Sequence, residues 1–261
     1  MPTVESYLQG TPCWIDLPSD DMKQARSFYE SLFGWEFEAM PAPAGMTYLM
    51  ARLHGSYVAG LMPQSRIAAA AGLPSAWITY IAVDDAEAAE RAIEDHGGSV
   101  LFPTDEIPDA GRSVMGTDPQ GAFVGFWEAR GHVGSAVVNE PGTPIWHELQ
   151  VDDVRAVLPF YRAVAGMESE MGPAGDLREY TQFLVAGRSI AGASVRPMPD
   201  APAAWSVCFN VADTDATVSL VEELGGAVIA AAFDVPGIGR MAVVADPAGA
   251  VFSLMGASVA A

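Results

Sequence analysis

The chain has 261 residues, 50% of them hydrophobic and only 18% charged, with 26 Gly and 19 Pro spread along its length. This is a globular composition, and the length suits two domains of roughly 100 to 150 residues each. Thirteen Lys and Arg against 33 Asp and Glu leave a formal net charge of −20. Such a charge repels phosphate backbones and anionic headgroups, making nucleic acid and membranes poor partners. Its plain consequence is solubility; attraction for a cationic or amine-bearing ligand is the sharper one.

The opening, MPTVESYLQG, carries neither a basic n-region nor an apolar h-region, and no stretch reaches the roughly 18 apolar residues of a membrane span. Cys13 and Cys208 form no CxxC or Cys/His cluster, which suggests a reducing compartment and no disulfide framework. The cytoplasm is the expected location.

Residues 14–17 read as a short strand. Ser19, Asp20 and Asp21 offer an N-cap to a helix whose apolar stripe is Met22, Ala25, Phe28, Tyr29 and Leu32, ending near Gly34. Strands at 47–53 and 57–62 flank His54-Gly55-Ser56, a hairpin connection. A strand at 77–83 leads into a helix over 84–96, with Ala86, Ala89 and Ile93 on one side and Gly97-Gly98 as its stop. Strands follow near 99–102, 111–117 and 122–127, the last two joined by the turn Asp118-Pro119-Gln120-Gly121. Helices near 153–164 and 213–224 begin the same order again.

The recurrence is an internal duplication. At a spacing of 132, Trp14, Leu17, Phe28, Tyr29, Gly34, Tyr48, Gly55, Ala59 and Gly60 meet Trp146, Leu149, Phe160, Tyr161, Gly166, Tyr180, Gly187, Ala191 and Gly192. At a spacing of 128, Ala76-Trp77, Gly97-Gly98, Pro108, Arg112 and Asp118-Pro119 meet Ala204-Trp205, Gly225-Gly226, Pro236, Arg240 and Asp246-Pro247. Identities sustained over so long a span mark a true repeat. The expected division is a segment at 1–11, domains at 12–128 and 144–256, a linker at 129–143 and a tail at 257–261. The expected class is α+β: four βαβββ modules in two tandem domains, each a curved mixed sheet around a cleft with its helices outside.

The order βαβββ, the Phe28-Tyr29 and Gly34-Trp35 pairs, Val83, Asp84 and Asp85 opening the second helix, and DPQG or DPAG before the last strand resemble the vicinal oxygen chelate superfamily. That superfamily includes glyoxalase I, extradiol dioxygenases, fosfomycin-resistance enzymes and bleomycin-binding proteins. The tandem arrangement, with PCWIDL and PIWHEL opening the halves, is similar to actinobacterial glyoxalase-like proteins often labelled hydroxylases or bleomycin-resistance proteins. The resemblance implies two modules closing a sheet around a cleft. In metal-dependent members it also implies a His or Gln on the first strand of each paired module and a Glu on a last strand. The first-strand ligand stands fifteen positions before the Tyr of the FY pair, where this chain has Trp14 and Trp146; the partner strands have Ile78 and Ser206, the last strands Gly125 and Ser253. Indole offers a cation no lone pair, and none of the others is a strong ligand. No metal and no other cofactor is expected unless displaced ligands hold one.

Strand alternation then places Trp14, Asp16, Trp146, Glu148 and Gln150 on the cleft side and His147 toward the helices, as a packed structural residue. Ile78, Tyr80, Ala82, Phe123, Gly125 and Trp127 would line the first cleft; Ser206, Cys208, Asn210, Val251, Ser253 and Met255 the second. Aromatic walls with a few polar groups suit a planar organic ligand. Against this stands the plainer reading of Trp14, an indole filling a closed core. Asp16 and Glu148 occupy equivalent positions and are candidates for a general base or an amine's counter-charge; pairing with a backbone amide or an arginine is the alternative. Arg112 and Arg240 could clamp an anionic ligand or brace a loop.

Two functions stay open. One is a metal-free binding protein for a small aromatic or amine-bearing molecule. The other is a lyase, isomerase or hydroxylase-like enzyme, either cofactor-free or metal-dependent through displaced ligands. The expected partner is a small-molecule ligand or substrate, for a monomer or homodimer.

Overall fold

The computed structural model describes residues 3–41, 47–64, 75–171, 180–198 and 200–257. The first half runs β1 (Pro12–Ser19), α1 (Met22–Phe33), β2 (Glu36–Pro41), β3 (Thr47–Leu53), β4 (Ser56–Pro63), β5 (Ile78–Ala82), α2 (Ala86–Asp95), β6 (Ser99–Ile107), β7 (Gly111–Thr117) and β8 (Phe123–Ala129). The second runs β9 (Pro144–Val151), α3 (Val154–Ala165), β10 (Glu168–Met171), β11 (Thr181–Val185), β12 (Arg188–Val195), β13 (Ala204–Asn210), α4 (Thr214–Glu223), β14 (Ala227–Val235), β15 (Gly239–Ala245) and β16 (Val251–Gly256). This is βαβββ four times, and each half forms its own eight-stranded mixed sheet. The orders match under the repeat: β2-β3-β4-β1-β5-β8-β7-β6 and β10-β11-β12-β9-β13-β16-β15-β14. The two modules of one half therefore pair with each other, and their first strands meet antiparallel at the centre, with Trp14 opposite Tyr80 and Trp146 opposite Cys208.

Each helix starts where an aspartate side chain accepts from amides of the first turn, the orphan donors of any helix. Asp21 accepts from Lys23 and Gln24 at 3.0 and 2.9 Å, and Asp85, Asp153 and Asp213 repeat the cap. α1 and α3 end alike, with Gly34 and Gly166 at φ 70° and 69°, a left-handed conformation that favours glycine. The short edge strand β2 has no span assigned in the sequence reading, where Glu36 and Glu38 flank a single inward Phe37. β6 runs past Phe102 through Pro103, which an edge strand tolerates because one side of its ladder is unpaired.

The helix-bearing faces of the two sheets pack on each other. One core joins Phe28, Phe33, Trp35 and Trp77 of the first half to Phe209, Val221, Phe252 and Leu254 of the second. The other joins Ile81, Ile93 and Phe126 to Val157, Phe160, Phe183 and Trp205. The repeated motifs meet across this seam. Tyr29 donates to Asp246 Oδ2 (3.1 Å) and accepts from Trp77 Nε1 (3.2 Å); Tyr161 donates to Asp118 Oδ2 (3.0 Å) and accepts from Trp205 Nε1 (2.9 Å). The FY, AW and DP pairs of each half are thus two copies of one cross-half network.

Candidate functional site

The faces turned away from the helices are the candidate clefts, and they differ. In the first half Trp14, Met50, Ile78, Tyr80, Ala82 and Trp127 form one buried cluster. The aperiodic linker covers it: Ser135 donates from its amide to the Cys13 carbonyl and from Oγ to the Val58 carbonyl, while Trp127 Nε1 donates to the His132 carbonyl (2.8 Å). The His132 ring stands edge-on to Trp14 at 4.5 Å, and Tyr7 from the amino-terminal segment donates to the Ser135 carbonyl. Trp14 and Asp16 are each 5% exposed. Asp16 Oδ1 accepts from Trp14 Nε1 at 2.9 Å and from Tyr48 Oη at 2.5 Å. Burial pushes the Asp16 pKa up, and hydrogen bonds from Tyr48, Trp14 and Tyr80 draw it partly back. Trp14, Asp16, Tyr80 and Trp127, read from sequence as cleft lining, with a closed core as the alternative for Trp14, are buried among the described residues.

The equivalent face of the second half keeps contact with solvent. Trp146, Glu148, Gln150, Tyr180, Ser194, Ser206 and Asn210 are all only half-buried. Register gathers them: Glu148 lies between Gly192 on β12 and Ser206 on β13, with Gln150 beside Ser194. Ser194 Oγ donates to Glu148 Oε1 (2.7 Å) and Trp146 Nε1 donates to Tyr180 Oη (2.9 Å). Burial raises the Glu148 pKa, opposed by hydrogen bonds from Ser194 and Gln150. Cys208 is buried beneath them, its thiol pushed up to about 12 by burial and by Glu148, so it is no thiolate nucleophile at neutral pH. Asn210 sits at the end of the face, donating to the linker carbonyl of Asn139 (2.9 Å).

The arginines lie elsewhere. Arg112 shares a face of β7 with buried Val114, on the helix side, and pairs with Glu87 of α2 and with Glu128. Arg240 likewise shares its face of β15 with Ala242 and pairs with Asp215 of α4 (2.6 Å) and Asp234 (3.2 Å). Both brace a helix start against the sheet; of the two roles the sequence left open, ligand clamp and brace, the observed pairs are those of a brace.

His147 faces the seam as a packed residue, its Nδ1 3.0 Å from Thr79 Oγ1, and burial lowers its pKa to about 4. The ordinary value is about 6.5. The unfolded chain therefore binds this proton first, and stability falls as pH drops from about 6.5 to about 4, by at most about 1.4 kcal/mol per unit. His147→Phe should flatten that slope relative to the wild type in urea titrations at stepped pH. An unchanged slope would mean that His147 is protonated in the fold.

The family's metal positions carry Trp14, Ile78 and Gly125 in one half and Trp146, Ser206 and Ser253 in the other, a donor set that does not fit a transition metal. Among the described residues no three of His, Cys, Asp and Glu come together elsewhere.

Three contributors went unassigned in the sequence: Tyr180, Ser194 and Gly192. The repeat carried a signal for two of them. Tyr48 and Tyr180 recur, as do Gly60 and Gly192, because a Cβ at Gly192 would stand 2.0 Å from Tyr180 Oη. Ser194 replaces Met62 at the 132 spacing and left no mark in a search for identities.

Comparison with known proteins agrees with this architecture. The Glyoxalase/Bleomycin resistance protein/Dioxygenase superfamily model matches residues 13–126, and a Glyoxalase-like domain model matches 146–255. A Mycobacterium tuberculosis protein named "Putative glyoxylase CFP32" is 43% identical over 98% of both chains. The Streptomyces peucetius "Anthracycline biosynthesis protein DnrV" is 32% identical over 95% of this chain and 94% of its own. In fold the chain is similar to the Mn(II)-bound glyoxalase from Novosphingobium aromaticivorans, at a TM-score of 0.64 and 12% identity over 95% of this chain and 82% of that one. It is equally similar to the 2,3-dioxygenase LapB from Pseudomonas sp. KL28, at 0.64 and 12% over 97% and 94%. With its two βαβββ pairs, its FY and DP motifs and a relative this similar along its whole length, the chain belongs to the glyoxalase/bleomycin resistance protein/dioxygenase superfamily.

Proposed function

We propose that this protein binds one small aromatic or amine-bearing molecule on the cleft face of its second half, without the metal used by other members of the superfamily. One observation carries the reading: Glu148 stands half-buried beside Trp146 and Tyr180, while its counterpart Asp16 is sealed. A carboxylate recessed beside an indole offers a cation both charge and a planar surface. The kinship with a protein named for anthracycline biosynthesis supports an aromatic ligand. We take the protein to act in the cytoplasm as a monomer or homodimer. Its two unpaired cysteines support the compartment. Among the described residues no helix is long and apolar enough to cross a membrane.

Calorimetry with tryptamine and its uncharged parent indole tests the reading. Tryptamine is expected to bind once per chain and about 10-fold more weakly to Glu148→Gln, a loss of about 1.4 kcal/mol for a charge-assisted contact. Indole should bind wild type and variant alike. Two equal sites per chain, or tryptamine indifferent to Glu148→Gln, would refute it.

The raised pKa of Glu148 favours a second reading, a cofactor-free enzyme with Glu148 as general base. There Glu148→Gln stops turnover while sparing the affinity of neutral ligands.

A further inference from the structure

The two halves contain the same three-residue constellation in different hydrogen-bonding states. In the first, Trp14 Nε1 donates to Tyr48 Oη (3.0 Å) and Tyr48 Oη donates in turn to Asp16 Oδ1, so the set is closed on itself. In the second, Trp146 Nε1 donates to Tyr180 Oη in the same way, but the carboxylate is engaged differently. Glutamate is one methylene longer than aspartate, and Ser194 on the neighbouring strand holds Glu148 Oε1 at 2.7 Å. The position of Ser194 is Met62 in the first half, an apolar side chain that cannot divert Asp16. Tyr180 is thus left with an accepted hydrogen bond and, among the described residues, no acceptor for its own proton. Gly192 lets that hydroxyl lie against the β12 backbone, where a Cβ would stand 2.0 Å from it, as Gly60 does for Tyr48.

A hydroxyl placed like this on a half-buried face has a strong requirement for an acceptor, because desolvating it unpaired is costly. Resting on the binding role proposed for this face, we infer that Tyr180 is the hydrogen-bond donor of the site and Glu148 its acceptor. The chemical class selected is then an aromatic ketone with an amine or hydroxyl next to its carbonyl: the carbonyl oxygen accepts a hydrogen bond from Tyr180 Oη and the neighbouring N–H or O–H donates to Glu148. Ser194 is the positioning residue that separates the two roles by keeping Glu148 off Tyr180.

The test uses three probes in ligand-observed NMR titrations of the full chain: 2-aminoacetophenone with both groups, acetophenone with only the carbonyl, and aniline with only the amine. Wild type should bind 2-aminoacetophenone most tightly. Tyr180→Phe should weaken both ketones by about 5- to 10-fold, the usual worth of one neutral hydrogen bond, and leave aniline unchanged. Ser194→Ala, which retains the tyrosine, should reproduce the ketone-specific loss by releasing Glu148 to accept the Tyr180 hydrogen bond as Asp16 accepts that of Tyr48. Unchanged ketone affinity in Tyr180→Phe overturns the donor assignment while leaving binding intact; an equal loss for all three probes overturns it in favour of a packing role. Failure of all three to bind wild type overturns this inference, and loss of tryptamine binding as well overturns the binding role beneath it.

Discussion

Phe209→Ala is expected to destabilise the protein by about 3 to 5 kcal/mol, the range for removing a buried phenylalanine from a packed core. Phe209 is fully buried, and its ring centroid lies 4.8 Å from Phe33, 5.4 Å from Trp77, 5.6 Å from Phe252 and 5.8 Å from Trp35. Three of those four rings belong to the other half. The cavity would open inside the seam, where neither sheet can collapse without pulling the halves apart. Urea unfolding followed by tryptophan fluorescence measures the loss. Phe209→Leu, which keeps most of the volume, should cost under about 1.5 kcal/mol. A cost for the alanine variant no greater than for the leucine would show that the seam is loosely packed.

Asp246→Ala should cost about 4 kcal/mol. Its carboxylate accepts from Tyr29 Oη on Oδ2 and from the amides of Ala248 and Ala250 on Oδ1, both at 2.9 Å, so alanine strands three recessed donors at about 1 to 3 kcal/mol each, softened where the turn can reach water. Asp118→Ala should behave alike, since Asp118 accepts from Tyr161, Gln120 and Ala122. Because one carboxylate holds both its own turn and the opposite half, each variant should lower the single unfolding transition as a whole. Two separated transitions in the wild type, only one of them moved by Asp246→Ala, would defeat this account.

The architecture was legible because the duplication wrote it twice. Aspartate before each apolar stripe marked the helix starts, and alternation correctly put Trp146, Glu148, Gln150 and Ser206 on the face away from the helices. The orientation of Arg112 was also legible, since it shares parity with Val114. The filling of the first cleft was not, because His132 and Tyr7 come from segments without period, whose course depends on the finished sheet. The equivalence of the halves also extends a little before their first strands. Gly10-Thr11 and Gly142-Thr143 are equivalent: Gly10 donates to the Ala82 carbonyl and Gly142 to that of Asn210, both at 2.8 Å. Nor could the repeat say that Tyr29 and Asp246 touch, because identities reveal equivalence and not adjacency.

The shared seam has a consequence for synthesis. When β8 leaves the ribosome, α1 has its own strands beneath it, but Phe33 and Trp35 still lack Phe209 and Phe252, and Tyr29 lacks Asp246. These partners belong to the fourth module, translated after the other three. At about 5 to 20 residues per second, the first half waits several seconds or more with an aromatic surface uncovered. The fourth βαβββ unit is the closing piece that covers that surface.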